Sequence, residues 1–144
     1  MFSAGGAISK IYAPKAAEQG CIVIDNTSEF RNEDDIPLVV PEVNQDAIGE
    51  YTKRNIIANP NCSTIQMLVA LKPLHDQFKI KKIDVCTYQS VSGSGKSGIE
   101  ELAGQTGKLL NGLKIKPENF SQQIAFNVLP EIDVFMENGF TRKK

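Results

Sequence analysis

Apolar positions along this chain fall into short β-rich runs set between stretches of helical spacing, the layout of an α/β protein with a parallel sheet. Residues 6–19 read as a helix interrupted by Pro14, and Gly20 closes it before the run Cys21-Ile22-Val23-Ile24-Asp25. Leu38-Val39-Val40 and Asn55-Ile56-Ile57-Ala58 read as two further strands, with a short helix over residues 44–50 between them. A long helix follows over residues 63–77, which Pro73 should kink or shorten. Residues 80–90 alternate as a longer strand, so that Ile83, Val85, Thr87 and Gln89 share one face. Gly-rich sequence then leads into a helix ending near Asn111, and residues 114–123 form a polar connection. No internal repeat or low-complexity tract interrupts this order.

Where the run ending at Ala58 gives way to the long helix, the chain reads Asn59-Pro60-Asn61-Cys62-Ser63-Thr64-Ile65-Gln66. The first-turn amides of a helix are unpaired and its dipole presents partial positive charge, both of which stabilise a thiolate placed there. Cys62 therefore reads as a nucleophile. Ser63 is positioned to cap the helix and Gln66 to return the hydrogen bond, as in a capping box. A lone cysteine is most often a small buried apolar group, but the polar turn residues around Cys62 argue against that here.

Composition narrows the field. The 144 residues carry a formal net charge of −1 with both signs interspersed, so no basic patch recommends nucleic acid or anionic lipid as a partner. Cys21, Cys62 and Cys86 are odd in number and lack C-x-x-C spacing, which suggests neither a disulfide framework nor a metal site, and fits a reducing cytoplasm. The longest apolar runs are too short for a membrane span, and the front lacks the layout of a signal peptide.

The motif around Cys62 resembles the nucleophile segment of the aspartate-β-semialdehyde dehydrogenase family. The resemblance extends, in family order, through Phe2-Ser3-Ala4-Gly5-Gly6, residues 24–31, residues 37–44, residues 87–93 and residues 124–135, covering nearly the whole chain. It implies the end of a Rossmann-type NADP-binding domain over residues 1–61. Residues 62–144 would then be the start of an α+β catalytic and dimerisation domain like that of glyceraldehyde-3-phosphate dehydrogenase. It also implies that the chain enters the family pattern in midstream, without the first strand and Gly-rich turn that hold a pyrophosphate, and that it stops at the first turn of a further helix.

The resemblance assigns roles to particular residues. Cys62 would attack the acyl phosphate of aspartyl phosphate, phosphate would leave, and the thioester would accept hydride from NADPH to release aspartate semialdehyde. This is the branch toward lysine, including diaminopimelate, and toward methionine and threonine. Arg31, which alone would read as a solvated arginine beside Glu33-Asp34-Asp35, would grip the phosphate through its planar fork. Gln89 would contact substrate and hold the acyl group. The backbone amide of Cys62, with Asn61 beside it, would stabilise the oxyanion. Ser92 and Gly93 would touch NADP, and Ser3, Ala4 and Gly5 would lie along it. The family's acid/base histidine and its later substrate-binding lysine and arginine would fall beyond Lys144. The one histidine present, His75, lies 13 residues beyond Cys62, about 20 Å along a helix, too far to be the partner base.

Three rival readings stand beside this one. A sister acyl-phosphate reductase, such as N-acetylglutamyl-phosphate reductase, would share the cysteine chemistry but should differ around the nucleophile. The chain could instead act only as a non-catalytic folding or dimerisation module, since the catalytic domain of the resembled family contributes to its dimer interface. Gly95-Lys96-Ser97 resembles the end of a nucleotide-binding P-loop, yet the glycine required five positions earlier is Ser90. Lys96 itself departs from the small or apolar residue that the family resemblance leads one to expect.

Overall fold

Parallel pairing organises the first half of the chain. In the computed structural model, which describes residues 1–131, 137 and 139, β1 (Val23–Asp25) pairs in parallel with β2 (Ile56–Ala58), in the register Val23 with Ile56 and Asp25 with Ala58. Phe2 bridges to Asp25 on one side and Leu38 to Ala58 on the other, so four parallel segments lie side by side. The expected strand at residues 38–40 is thus reduced to one bridging position. Pro37 and Val39 supply its two hydrogen bonds with Ala58, at 2.9 and 3.0 Å, before Pro41 starts a helix. The residues of the 124–135 motif after Glu131 lie outside the described residues.

Helix α1 (Gly6–Glu18) covers this layer with Ala13 and Ala17, whose small side chains let it pack on Val23, Ile56 and Ala58, while Phe30 and Ile36 complete the core. It runs through Pro14 without interruption, since proline removes a single backbone bond from a helix otherwise held by packing. Gly20 ends it in the left-handed region, φ 85°, donating to Ala17 O while Cys21 donates to Ala16 O. The expected helix at residues 44–50 is two elements: α2 (Pro41–Asn44) and a 3₁₀ helix, Gln45–Lys53. Helix α3 (Cys62–Phe78) likewise continues through Pro73.

The chain divides into two compact units, Met1–Asp84 and a second from Val85 onward. Residues 80–90, expected as a strand, carry no regular secondary structure. A strand persists only where a neighbour completes its hydrogen-bond ladder, and none of the described residues pairs with this segment. Cys86 and Cys21 accordingly lie outside strands, and all three cysteines are exposed.

The second unit is built on α4 (Gly95–Leu110), against which the 3₁₀ turn Val91–Ser94 packs. Gln105 is buried, and its Oε1 accepts the amides of Ile124 and Ala125 at 2.9 and 3.2 Å. Glu101 accepts the amides of Glu118 and Asn119. Partial burial pushes its carboxyl up, but these bonds together outweigh it and hold the group below the usual carboxylate range. Close approach explains Gly98. A Cβ there would stand 2.9 Å from both Val91 O and Ser94 Cβ, and the former is backbone that cannot swing aside. Gly98→Ala should therefore destabilise this unit by about 1–3 kcal/mol, the usual cost of overpacking. Urea denaturation followed by amide exchange at Ile124 and Ala125 checks it, and unchanged exchange would contradict the packing argument.

Candidate functional site

The carboxyl ends of β1 and β2 lead directly into the residues of interest, as expected for ligand sites in open parallel sheets. Asn59 follows β2, and Pro60 turns the chain toward Asn61, which adopts extended backbone (φ −62°, ψ 144°) and caps α3. Asn61 Oδ1 accepts both the amide of Ser63 at 3.1 Å and its hydroxyl at 2.7 Å. The cap is therefore Asn61 and not Ser63. An asparagine carbonyl spans the distance to the amide two residues on, and this moves the helix start back by one residue. Cys62 becomes the first residue of α3, exposed, with Sγ 3.9 Å from Asn61 Oδ1.

The acidic stretch after Arg31 is answered from further along the chain. Arg54 takes that role, reaching Asp35 at 3.2 Å and Glu33 at 3.5 Å while its guanidinium lies 5.8 Å from the Phe30 ring centroid. Arg31 instead crosses the strand ends: Nε donates to Asn59 O at 2.7 Å and one terminal nitrogen donates to Asn26 O at 3.2 Å. Asn59 Nδ2 donates to Asn26 Oδ1 at 3.1 Å, locking the two turns together. Partial burial pulls the guanidinium down from its ordinary value, and the negative charges of Asp25 and Cys62 act in the opposite direction. The first unit thus brings the turns that carry Arg31, Asn61 and Cys62 together at the carboxyl ends of β1 and β2, with Cys62 at a helix N-terminus.

Ala4 and Gly5 lie at the start of α1, both exposed. No side chain caps α1, Gly5 has φ 103°, and a Cβ added to it would meet nothing within 4 Å. Small residues beside uncapped first-turn amides fit the close approach of a dinucleotide. In the second unit, Gln89 is exposed and donates to Thr87 Oγ1 at 3.5 Å, Ser92 shares a short hydroxyl contact with Ser90, and Gly93 sits in the 3₁₀ turn ahead of α4. Lys96 Nζ pairs with Glu100 at 3.5 Å, and no strand precedes its turn, which leaves the P-loop reading without support. His75 occupies the last turn of α3, at the opposite end from Cys62, beside an apolar groove of about 370 Å³ lined by Leu68, Leu71, Ile80 and Ile83. Among the described residues no group of three metal-ligating side chains forms and no helix is long and apolar enough to cross a membrane.

Residues 71–144, just over half the chain, match the semialdehyde dehydrogenase dimerisation domain, and residues 1–51 match the semialdehyde dehydrogenase NAD-binding domain. The chain belongs to the semialdehyde dehydrogenase family. Within that family it groups with the aspartate-semialdehyde dehydrogenases. It is 67% identical over 143 residues to the enzyme of a Shewanella species, spanning 99% of this chain and 42% of that one. It is 66% identical to aspartate-semialdehyde dehydrogenase 2 of Vibrio cholerae, spanning 100% of this chain and 43% of that one. The crystal structure of aspartate semialdehyde dehydrogenase II from Vibrio cholerae, complexed with ASA, superposes with a TM-score of 0.93 at 67% identity, over 98% of this chain and 42% of that one. The chain thus spans less than half the length of the curated semialdehyde dehydrogenases it matches.

Proposed function

We propose that this chain forms part of an NADP-dependent aspartate-semialdehyde dehydrogenase, which reduces L-aspartyl-4-phosphate to L-aspartate-4-semialdehyde with loss of phosphate. The reaction would stand at the biosynthetic branch toward lysine, methionine and threonine, in the cytoplasm. The observation that carries this reading is Cys62 at the first turn of α3, capped by Asn61, with Arg31 strapped at 2.7 Å to the carbonyl of Asn59 in the same turn. A domain boundary near residue 61 would set the start of α1, with Ala4 and Gly5, in the domain before the one that carries Cys62.

Each residue's part follows from its chemistry. Cys62 Sγ attacks the acyl carbon, the bond to phosphate breaks, and a thioester forms on the sulfur. The amide of Cys62 and the side chain of Asn61 stabilise the transient oxyanion, where negative charge develops that the ground state lacks. Arg31 binds the phosphate oxygens and compensates the charge carried off by the leaving group. Gln89 orients the acyl group. Ala4, Gly5, Ser92 and Gly93 would contact the nicotinamide cofactor, which supplies the hydride. The match of residues 71–144 to a dimerisation domain supports a homodimer of the whole protein.

The test grafts this segment into the full-length Vibrio cholerae relative and follows cofactor reduction with aspartate semialdehyde and phosphate. Arg31→Lys should raise the KM for phosphate roughly tenfold, because one ammonium cannot reproduce a planar fork. Gln89→Ala should lower kcat by about a hundredfold, a loss typical of a misplaced acyl group. An unchanged phosphate KM in the Arg31 variant would reject that assignment, and equal turnover with NAD would reject the cofactor preference.

A further inference from the structure

Ser9, Asp25 and Thr27 are buried side chains whose polar groups meet, and the chemistry above makes no use of them. Helix α1 buries Ser9, Ala13 and Ala17 on one face, so a hydroxyl stands where a further methyl group would continue the stripe. That hydroxyl donates to one oxygen of Asp25 at 2.7 Å, and Thr27 Oγ1 donates to the other at 2.8 Å. Apolar side chains would fill nearly the same space with nothing to satisfy. A buried polar network that is fully paired does more, because it rigidifies its surroundings and specifies one arrangement.

What the network fixes lies at its two ends. Toward the front of the chain, Phe2 flanks Asp25 along the backbone, donating to Ile24 O at 2.8 Å and accepting the amide of Asn26 at 2.9 Å. Gly5 O accepts the amides of Ile8 and Ser9, each at 3.1 Å. Residues 3–5 are thus strung between two anchors on one strand, the backbone of β1 through Phe2 and the side chain of Asp25 through Ser9. Toward the following turn, Thr27 Oγ1 also accepts the amide of Glu29 at 3.3 Å, which shapes the loop running from β1 to Arg31.

We infer that Asp25 is a positioning residue shared by two binding segments: through Ser9 it sets residues 3–5 for the cofactor, and through Thr27 it sets the turn that carries Arg31 for phosphate. A carboxyl group suits this task because it takes both hydroxyls at once, each on its own oxygen. The two arms diverge from it, so each hydroxyl governs one ligand. The inference rests on the cofactor and phosphate contacts proposed above, and it is read by binding as well as by turnover.

The experiment uses the full-length Vibrio cholerae relative carrying this segment, and measures the Kd for NADP by calorimetry beside the KM for phosphate. Ser9→Ala continues the alanine stripe, and should raise the Kd for NADP roughly three- to tenfold while leaving the KM for phosphate within about twofold. Thr27→Val, nearly isosteric, should do the reverse. Asp25→Ala should raise both, and Ser9→Ala added to it should cost no further NADP affinity, because the hydroxyl has already lost its acceptor. A merely structural role would raise both constants in every variant. That outcome overturns the inference, as does no change in either constant. Should one variant not fold, as judged by circular dichroism, the selectivity of the others decides. Ala4→Asp, at an exposed position, separates this inference from the cofactor contact on which it rests. Weaker NADP binding in Ala4→Asp but not in Ser9→Ala sinks the inference alone. Unchanged binding in Ala4→Asp sinks the contact and the inference together.

Discussion

Cys62→Ala in a full-length relative carrying this segment abolishes turnover, with kcat falling on the order of 10⁴-fold or more, the scale seen when an enzyme loses its covalent nucleophile. The effect is expected to be the largest of any substitution in the chain because the thioester cannot form and no neighbouring group replaces the sulfur. Ser63, next along, has its hydroxyl turned to Asn61 Oδ1 at 2.7 Å. Binding should survive, since Arg31 is held by Asn59 and Asn26 and not by the cysteine. Single-turnover assays of the grafted enzyme, with phosphate affinity measured beside them, give the check. Substantial residual turnover would mean that the chemistry does not pass through this sulfur.

The second large effect concerns the 144-residue chain by itself, which should show no measurable dehydrogenase activity. The sequence holds one histidine, and it lies in the last turn of the helix whose first residue is Cys62. The separation is about 20 Å along the axis. A positioned general base contributes on the order of 10²–10⁴-fold, and reaction without one is slower by that factor before any loss of cofactor affinity. The assay mixes purified chain, aspartate semialdehyde, phosphate and NADP, and follows absorbance of the reduced cofactor. Turnover comparable with an intact relative, and lost on Cys62→Ala, would require another base in this chain or one supplied by a second copy.

Much of this was legible in local sequence. The helix–strand alternation, the parallel sheet, the glycine stop at Gly20 and the position of Cys62 at a helix mouth all follow from patterns a few residues long. The misreadings share one cause, which is that the deciding partner lies elsewhere. Ser63 and Asn61 are both good caps in isolation, and the turn set by Pro60 selects Asn61. Residues 80–90 alternate convincingly, but alternation is only half of a strand and the other half is a neighbour. Pro14 and Pro73 look like breaks until packing holds the turns on either side of them. Arg31 alone reads as an arginine beside Glu33 and Asp35, and the fold brings Arg54 to both carboxylates.

The sequence by itself determined the family and the place of Cys62, because an Asn-Pro-Asn turn running into a helix is set by local backbone preferences that need no distant contact. Only the tertiary structure decided which side chains gather beneath the turns that carry it. Asp25, Ser9, Thr27, Arg31 and Asn59 come from three separate stretches, and their meeting depends on β1 and β2 pairing in register with α1 laid over them. A buried carboxylate is indistinguishable in sequence from a solvated one. Burial, and the hydroxyls that then answer it, arise only once the sheet has formed.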